Sequence, residues 1–382
     1  MKILHAMLSC FYIDCYNYQE NTLPKIMNDL GHDVLIVAST EILCENNQVE
    51  YLEASRYNNE FGIPVIRVPY KKIINNRLTH KIRAYKGVYE IIENFCPDFI
   101  MFHGSSAYEL NTFIKYVKNH PNVRFILDSH ASMTNSGTNW ISRNILHKRF
   151  YKPILNKALP YLEKVYYIGT SEADFLKKIY RIPDSKLELF PLGDSIFDDQ
   201  EYYKQRKKIR EELGYKDDDI VLYHTGKLDR NKKTLEIINA VVSANQKNIK
   251  LCIVGGMTED VSLVVMQKIE EYHNKIRYLG WMNSTNLKKY LCAADAYVQF
   301  SYSSTFQTAL CCRCIGITTD PSNGYDYIPD SIIFYIMTRD DLVKIIEKIG
   351  KGEIDINKQK ELSYAYAKES LDYNRLVKKI LS

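Results

Sequence analysis

Residues 220–245 read IVLYHTGKLDRNKKTLEIINAVVSAN. The segment opens on an apolar run without clean alternation, the pattern of a strand covered on both faces in a parallel sheet. A strand is predicted over 220–226, a helix begins near Lys233, and a cationic loop joins them. Lys227, Arg230, Lys232 and Lys233 bring positive charge to a strand end beside a helix N-terminus, where side chains and helix dipole both favour phosphate. For an arbitrary basic loop a solvated turn is the better reading. Its place at the ligand-binding end of a strand favours an anion site here. The Gly-x4-Gly-Lys-Ser/Thr spacing of a P-loop is absent.

The same alternation extends both ways. Before this segment, strands are predicted at 2–8, 33–39, 64–70, 98–104, 124–130, 164–170 and 186–192. After it they fall at 250–256, 276–280, 296–301, 315–320 and 331–335. Amphipathic helices separate them, including NTLPKIMNDLG, closed by Gly31, and KIRAYKGVYEIIENF, ended before Pro97. Two consecutive βα arrays predict an α/β protein with two Rossmann-like, doubly wound domains facing across a cleft. The expected domains are 1–193 and 194–362. A final helix, 363–382, with Leu371, Leu376 and Ile380 at helical spacing, would cross back to cover the first.

Composition agrees. A chain of 382 residues with 46% apolar and 25% charged side chains is soluble, globular and large enough for two domains. No window reaches the roughly 18 apolar residues of a membrane-spanning helix. The opening MKILHAMLSC reads as a first strand, not a signal peptide. Nine cysteines, several inside apolar runs, read as buried reduced thiols in a cytoplasmic protein. Cys311, Cys312 and Cys314 do not have the spacing of a structural zinc site.

GKLDRNKKTLEIINAV resembles the Gly-Arg-Leu…Lys-Gly segment of GT-B glycosyltransferases, specifically the retaining family 4 (glycosyl transferases group 1). LCIVGG, IRYLGWMNSTNLKKYLCAADAYVQFS, YQENTLPKIMNDLGHDVLIVAS, FGIPVIRVPY and FPLGDS resemble further segments of that family in the same order, over essentially the whole chain. The resemblance implies transfer of a sugar from a UDP- or GDP-sugar to a hydroxyl of a saccharide or lipid-linked acceptor, with retention, in surface polysaccharide or glycolipid assembly. Lys227 and Lys232, beside Gly226 and Arg230, occupy the positions that hold the donor diphosphate. Fixed cations there stabilise a leaving group that gains charge as the glycosidic bond breaks. No Asp-x-Asp motif is present, so neither metal nor other cofactor is expected.

The donor loop departs from the family. Its members carry Glu-x7-Glu; the stretch Ser301–Gly316 here has no acid. Either Ser304 or Thr308 stands where a glutamate is usual. Ser303, Ser304, Thr305, Gln307 and Thr308 could meet phosphate through hydroxyl, amide and backbone groups, or simply cap a helix. An inactive partner subunit and a nucleotide-sugar epimerase of the same fold are the alternatives.

On the acceptor side, His103 and His130 end predicted strands, poised for proton transfer or hydrogen bonding to a hydroxyl-rich ligand. His130 matches a family histidine near the transferred sugar. Asp128 shares its face and would orient a neighbour or be a buried structural acid. Tyr18 belongs to a first βα loop that offers tyrosines where many relatives have glycines. Arg67–Lys86 is rich in Arg and Lys without an acidic residue, with Leu78, Ile82, Tyr85 and Tyr89 at helical spacing. A second basic stretch runs from Arg143 to Lys157 around Trp140, Phe150 and Tyr151. A basic amphipathic surface suits anionic lipid on the cytoplasmic membrane. Nucleic acid is not expected, since no binding motif accompanies the charge.

Overall fold

A computed structural model describes residues 1–16, 18–44, 48–72, 75–319 and 325–382. Asp320 of the predicted strand 315–320 and the side chain of Arg77 lie outside the described residues. The chain divides into two compact units, Met1–Pro191 and Leu192–Ser382. The expected boundary, 193/194, lies within a few residues of this division, but the final helix is grouped with the second unit.

The first unit contributes β1 (Lys2–Met7), β2 (Asp33–Ser39), β3 (Glu41–Leu43), β4 (Val49–Tyr51), β5 (Ser55–Asn58), β6 (Pro64–Val68), β7 (Phe99–His103), β8 (Arg124–Ser129), β9 (Val165–Tyr167) and β10 (Leu187–Leu189). Its sheet runs β10-β9-β8-β7-β1-β2-β6-β5 among the described residues. Every pairing is parallel except that of β5 with β6. After Lys2, β1 is buried throughout, which is why it reads as an unbroken apolar run. Not predicted were β5 and the antiparallel pair β3–β4. β4 is exposed along its length, so nothing in its composition marks a strand.

The second unit holds β11 (Ile220–Thr225), β12 (Ile249–Val254), β13 (Ile276–Tyr278), β14 (Ala296–Val298), β15 (Ile315–Thr318) and β16 (Ile333–Tyr335). They form an all-parallel sheet in the order β13-β12-β11-β14-β15-β16. In both sheets the first strand lies inside, with later strands added on either side. That reversal of strand order is where open α/β sheets bind ligands, beyond the carboxyl ends.

Two predicted helices are broken. KIRAYKGVYEIIENF divides into Asn76–Ile82 and Val88–Phe95, because Arg83 and Gly87 adopt left-handed backbone. Tyr85 between them bridges to Tyr70, and its hydroxyl donates to the Leu8 carbonyl. The single stripe Leu78–Ile82–Tyr85–Tyr89 is therefore not one helical face. Near the C-terminus, Ile356–Ser370 and Tyr373–Leu381 are separate helices, with Asp372 accepting from Asn374 N–H to start the second. Leu371, Leu376 and Ile380 are buried as the spacing predicts.

The segment after the domain division is structured too. Asp198 caps the helix Asp199–Glu212, and from that helix Arg206 and Arg210 reach Asp295, just before β14. Lys360 reaches it from Ile356–Ser370 at 2.7 Å, and Val221 N–H of β11 donates to it at 2.9 Å. Burial alone would raise the Asp295 carboxyl, but Lys360 and Arg206 hold it below the usual range. Replacing Asp295 by Asn leaves the buried Arg210 and Lys360 and the half-buried Arg206 without their anion. Urea unfolding should show a loss of about 3–5 kcal/mol. A loss under about 1 kcal/mol, the size typical of exposed pairs, would count against a structural role for the cluster.

Candidate functional site

In the second unit the site begins where β11 ends. Gly226 has φ 134°, and its carbonyl oxygen would lie 1.8 Å from a Cβ placed on Gly255. The loops after β11 and β12 thus approach so closely that position 255 admits only glycine. Asp229 accepts from Asn231 N–H at 2.9 Å and from Lys232 N–H at 3.2 Å, forming the short turn Arg230–Lys232. The turn directs Lys232 across the switch point, where its ammonium donates to the Tyr302 carbonyl in the loop after β14, at 3.0 Å. Burial lowers the Lys232 ammonium from its usual value. Lys227 is exposed next to Gly226.

The predicted basic cluster is otherwise dispersed. Arg230 is 78% exposed and turns away to pair with Asp260 at 2.7 Å. Lys233 lies over the Phe300 ring, 5.2 Å from its centroid. In the loop after β14, Ser303 exchanges hydrogen bonds with the Tyr325 hydroxyl through its backbone, and its Oγ accepts from Thr305 N–H at 3.3 Å. Ser304 is exposed, while Thr305 and Thr308 are half-buried. Gln307 is fully buried and donates to the Tyr327 hydroxyl. It lies in the core under the helix Thr305–Cys311, so its expected place at a ligand is corrected. One exposed aromatic escaped the sequence reading: Trp281, 71% exposed, directly follows Gly280, whose carbonyl accepts from Gly255 N–H. A tryptophan immediately after a strand-ending glycine was the available signal.

In the first unit the loops after β1, β7 and β8 surround a cavity of about 600 Å³. Close approach builds its rim: Ser106 N–H donates to Ser9 Oγ at 2.9 Å, and a Cβ on Gly104 would meet Ser9 at 2.8 Å. His130 lines the cavity and is paired through Nε2 with Gln19 Oε1 at 2.8 Å; Glu20 Oε1 lies 3.8 Å from its Nδ1. Asp128 also lines it, accepting from Gly104 N–H at 3.1 Å. Glu41 and Arg83, an ion pair at 3.3 Å, form another wall and were not predicted. Tyr18 is half-exposed, stacks on Tyr16 at 5.2 Å, and does not line the cavity.

His103 corrects an expectation. It is not at the cavity surface but fully buried, with Nδ1 at 2.6 Å from Asp128 and Nε2 at 3.0 Å from His5 Nδ1. Burial alone would lower the His103 imidazole, but the Asp128 carboxylate outweighs it and holds His103 above its usual range. Burial, then the positive His103, push His5 well below its own. The protons follow: His103 donates to Asp128 and to neutral His5, whose Nε2–H points at Met27 sulfur, 3.2 Å away. Asp128 is lowered in turn, His103 overcoming the opposing effect of burial.

The cysteines at 252, 292, 311, 312 and 314 are buried and unbridged. Among the described residues no group of His, Cys, Asp and Glu is disposed to hold a metal ion.

Residues 205–368 match the family described as "Glycosyl transferases group 1". Among solved structures, the chain is similar to HepE of Anabaena in complex with UDP, at 14% identity, TM-score 0.66, covering 100% of this chain and 98% of that one. A glycosyltransferase from Rickettsia africae gives 15% identity and TM-score 0.66, covering 100% and 96%. WaaG, a glycosyltransferase involved in lipopolysaccharide biosynthesis, gives 14%, TM-score 0.62, 99% and 98%. No curated protein sequence matches. The fold is GT-B, as expected, and the group 1 resemblance read from the second half is borne out.

The buried pair yields a pH-dependent expectation. His103, raised when folded, contributes stability that is complete below its unfolded value of about 6.5 and fades as pH rises through its folded value. Asp128, lowered when folded, contributes above about 3.9 and fades as pH falls through its folded value. The destabilisation by Asp128→Asn should therefore be largest, about 3 kcal/mol, near pH ~5–6 and shrink at alkaline pH. Denaturant unfolding over a pH series checks this; a difference constant with pH contradicts the ion pair.

Proposed function

We propose that the protein is a retaining glycosyltransferase that moves a hexosyl group from a nucleoside-diphosphate sugar to a hydroxyl of a saccharide or lipid-linked acceptor. The observation that carries the reading is Lys232, held across the strand-order switch of a group 1-like unit. Its ammonium and that of Lys227 meet the charge that grows on the departing diphosphate, stabilising the transition state beyond the ground state. The leaving phosphate then takes the acceptor proton on the face from which it departs, giving retention without a second protein carboxylate. Gln19 orients His130 toward hydrogen bonding with a hydroxyl in the cavity. Two lysines neutralise the diphosphate without a metal. HepE was crystallised with UDP and UDP-glucose, which makes uridine nucleotides the first donors to try.

A second reading, an inactive partner subunit, is favoured by one observation: Ser301–Gly316 has no acid, and a hydroxyl, of Ser304 or of Thr308, stands where a carboxylate is usual. An epimerase has less support, because the donor loop lacks the acids such chemistry would use at the sugar. We expect a surface-polysaccharide or glycolipid pathway on the cytoplasmic side of the membrane. Among the described residues no helix is long and apolar enough to cross one.

A thermal-shift panel of UDP-, GDP-, ADP- and CMP-sugars, followed by assay of hydrolysis and transfer in chelator, tests this reading. Stabilisation with slow hydrolysis or transfer supports the enzyme; no binding to any of them favours the partner subunit. Complete, metal-reversible loss in chelator would sink the metal-free mechanism. Lys232→Met should lower kcat about 10²–10³-fold, and Lys227→Met should weaken turnover comparably. Arg230→Met, which removes an exposed side chain already paired with Asp260, should change turnover by less than about threefold.

A further inference from the structure

Of the cations expected to form a surface at Arg67–Lys86, Lys71, Lys72, Lys81 and Lys86 are exposed, but Arg67 and Arg83 are engaged within the first unit. Arg67 is 3% exposed, its guanidinium bonded to Tyr57, Asp14 and the carbonyls of Ser39 and Tyr12. It braces the first βα loop. Arg83 lines the cavity and pairs with Glu41. The helical stripe that was to accompany these charges is broken at Arg83 and Gly87.

Another face of the first unit combines both properties. Trp140, Ile141 and Ile145 are 68%, 65% and 48% exposed at the start of the π-helix Ser142–Tyr151. On the opposite side of that helix, His147 and Tyr151 are buried. His147 bonds the Tyr180 hydroxyl at 2.7 Å, and Tyr151 donates to the Lys81 carbonyl. These contacts fix the helix about its own axis, so the exposed side chains cannot turn inward. Lys148 and Arg149 follow one turn later, both exposed. Lys148 touches only a neutral partner, Asn144 Oδ1 at 3.1 Å. The charges that act on nearby Lys152 are those of Arg181 and Lys148, both positive. No Asp or Glu occurs between Asp128 and Glu163.

We propose that this face seats the protein on an anionic lipid bilayer, with Trp140, Ile141 and Ile145 at the headgroup–acyl boundary and Lys148, Arg149 and Lys152 over lipid phosphates. An indole is favoured where one end meets hydrocarbon and the other water. Exposed apolar side chains next to uncompensated cations on one helix match interfacial binding, in which buried apolar area and charge attraction add. RNA fits less well, because single strands need aromatic platforms for successive bases, and two isoleucines beside one indole provide none. The inference concerns a surface apart from the lysines of the second unit, so it stands or falls independently of the transfer reaction.

The chain has two tryptophans, so Trp281→Phe leaves Trp140 as the only indole reporter. The full-length variant is mixed with phosphatidylcholine vesicles, with and without phosphatidylglycerol. Sedimentation with the anionic vesicles only, weakened by salt, and a blue shift of Trp140 emission are expected. In the unmodified background, Trp140→Ser and the pair Lys148→Glu/Arg149→Glu should each weaken vesicle binding about tenfold or more. These side chains are on the surface, and circular dichroism should show both variants folded. Absence of binding, equal binding to neutral vesicles, no blue shift, or binding indifferent to either variant overturns the proposal. So does binding of poly(U) without binding of vesicles.

Discussion

Asp295 joins four parts of the second unit through one carboxylate. It accepts from Arg206, Arg210, Lys360 and the Val221 backbone, and so ties two flanking helices to the junction of β11 and β14. Burying such a cluster is not by itself stabilising, since desolvation offsets much of the attraction. What it imposes is geometry, because each cation has a single anion to satisfy. β11 leads to Gly226 and β14 to Tyr302, the two sides of the Lys232 contact. The carboxylate at the base of the strands thereby bears on the placement of an ammonium at their far ends.

The first unit solves a related problem with protons. His5 in β1, His103 in β7 and Asp128 in β8 form a chain across adjacent parallel strands. Because His5 ends on a weak acceptor, Met27 sulfur, the chain is polar at the cavity end and apolar at the other. Asp128 consequently reaches the cavity with its position and charge already set from behind. His130, two residues on, is held from a different direction by Gln19 on the helix Gln19–Asp29. The floor and the side of the cavity are therefore fixed by separate elements.

The alternation of apolar runs with amphipathic helices made both sheets legible, because strands buried on two faces must be apolar whatever their partners. β4 and β5 were not legible: exposed strands carry no such requirement. The lysine turn was readable from charge and a strand-ending glycine, yet sequence spacing could not say which cations converge. Arg230 was lost to Asp260, thirty positions along the chain. His103 shows the same limit in reverse. Its place at a strand end was right, but whether a strand-end side chain enters the sheet or faces solvent depends on neighbours, here His5 and Asp128, distant in sequence. Along Arg67–Lys86 a run of cations could not say which of them, here Arg67 and Arg83, have acceptors waiting inside the unit.

The loop and helix that follow β14 combine two features that differ in kind. Arg313, just beyond the helix Thr305–Cys311, has φ 66°. An L-residue there costs about 1–2 kcal/mol relative to glycine. The structure shows what offsets it: the guanidinium lies 3.8 Å from the Tyr364 ring centroid and 4.2 Å from that of Tyr202, and it pairs with Asp199. Those partners come from the same two helices that converge on Asp295, so a strained turn has become a third tie to them. Among the described residues of the loop, Ser304 and Thr308 bring no carboxylate, and Gln307 is sequestered in the core. The turn at Arg313 is thus tied down by rings and a carboxylate, whereas the stretch before it, Ser301–Cys312, carries no charged side chain at all.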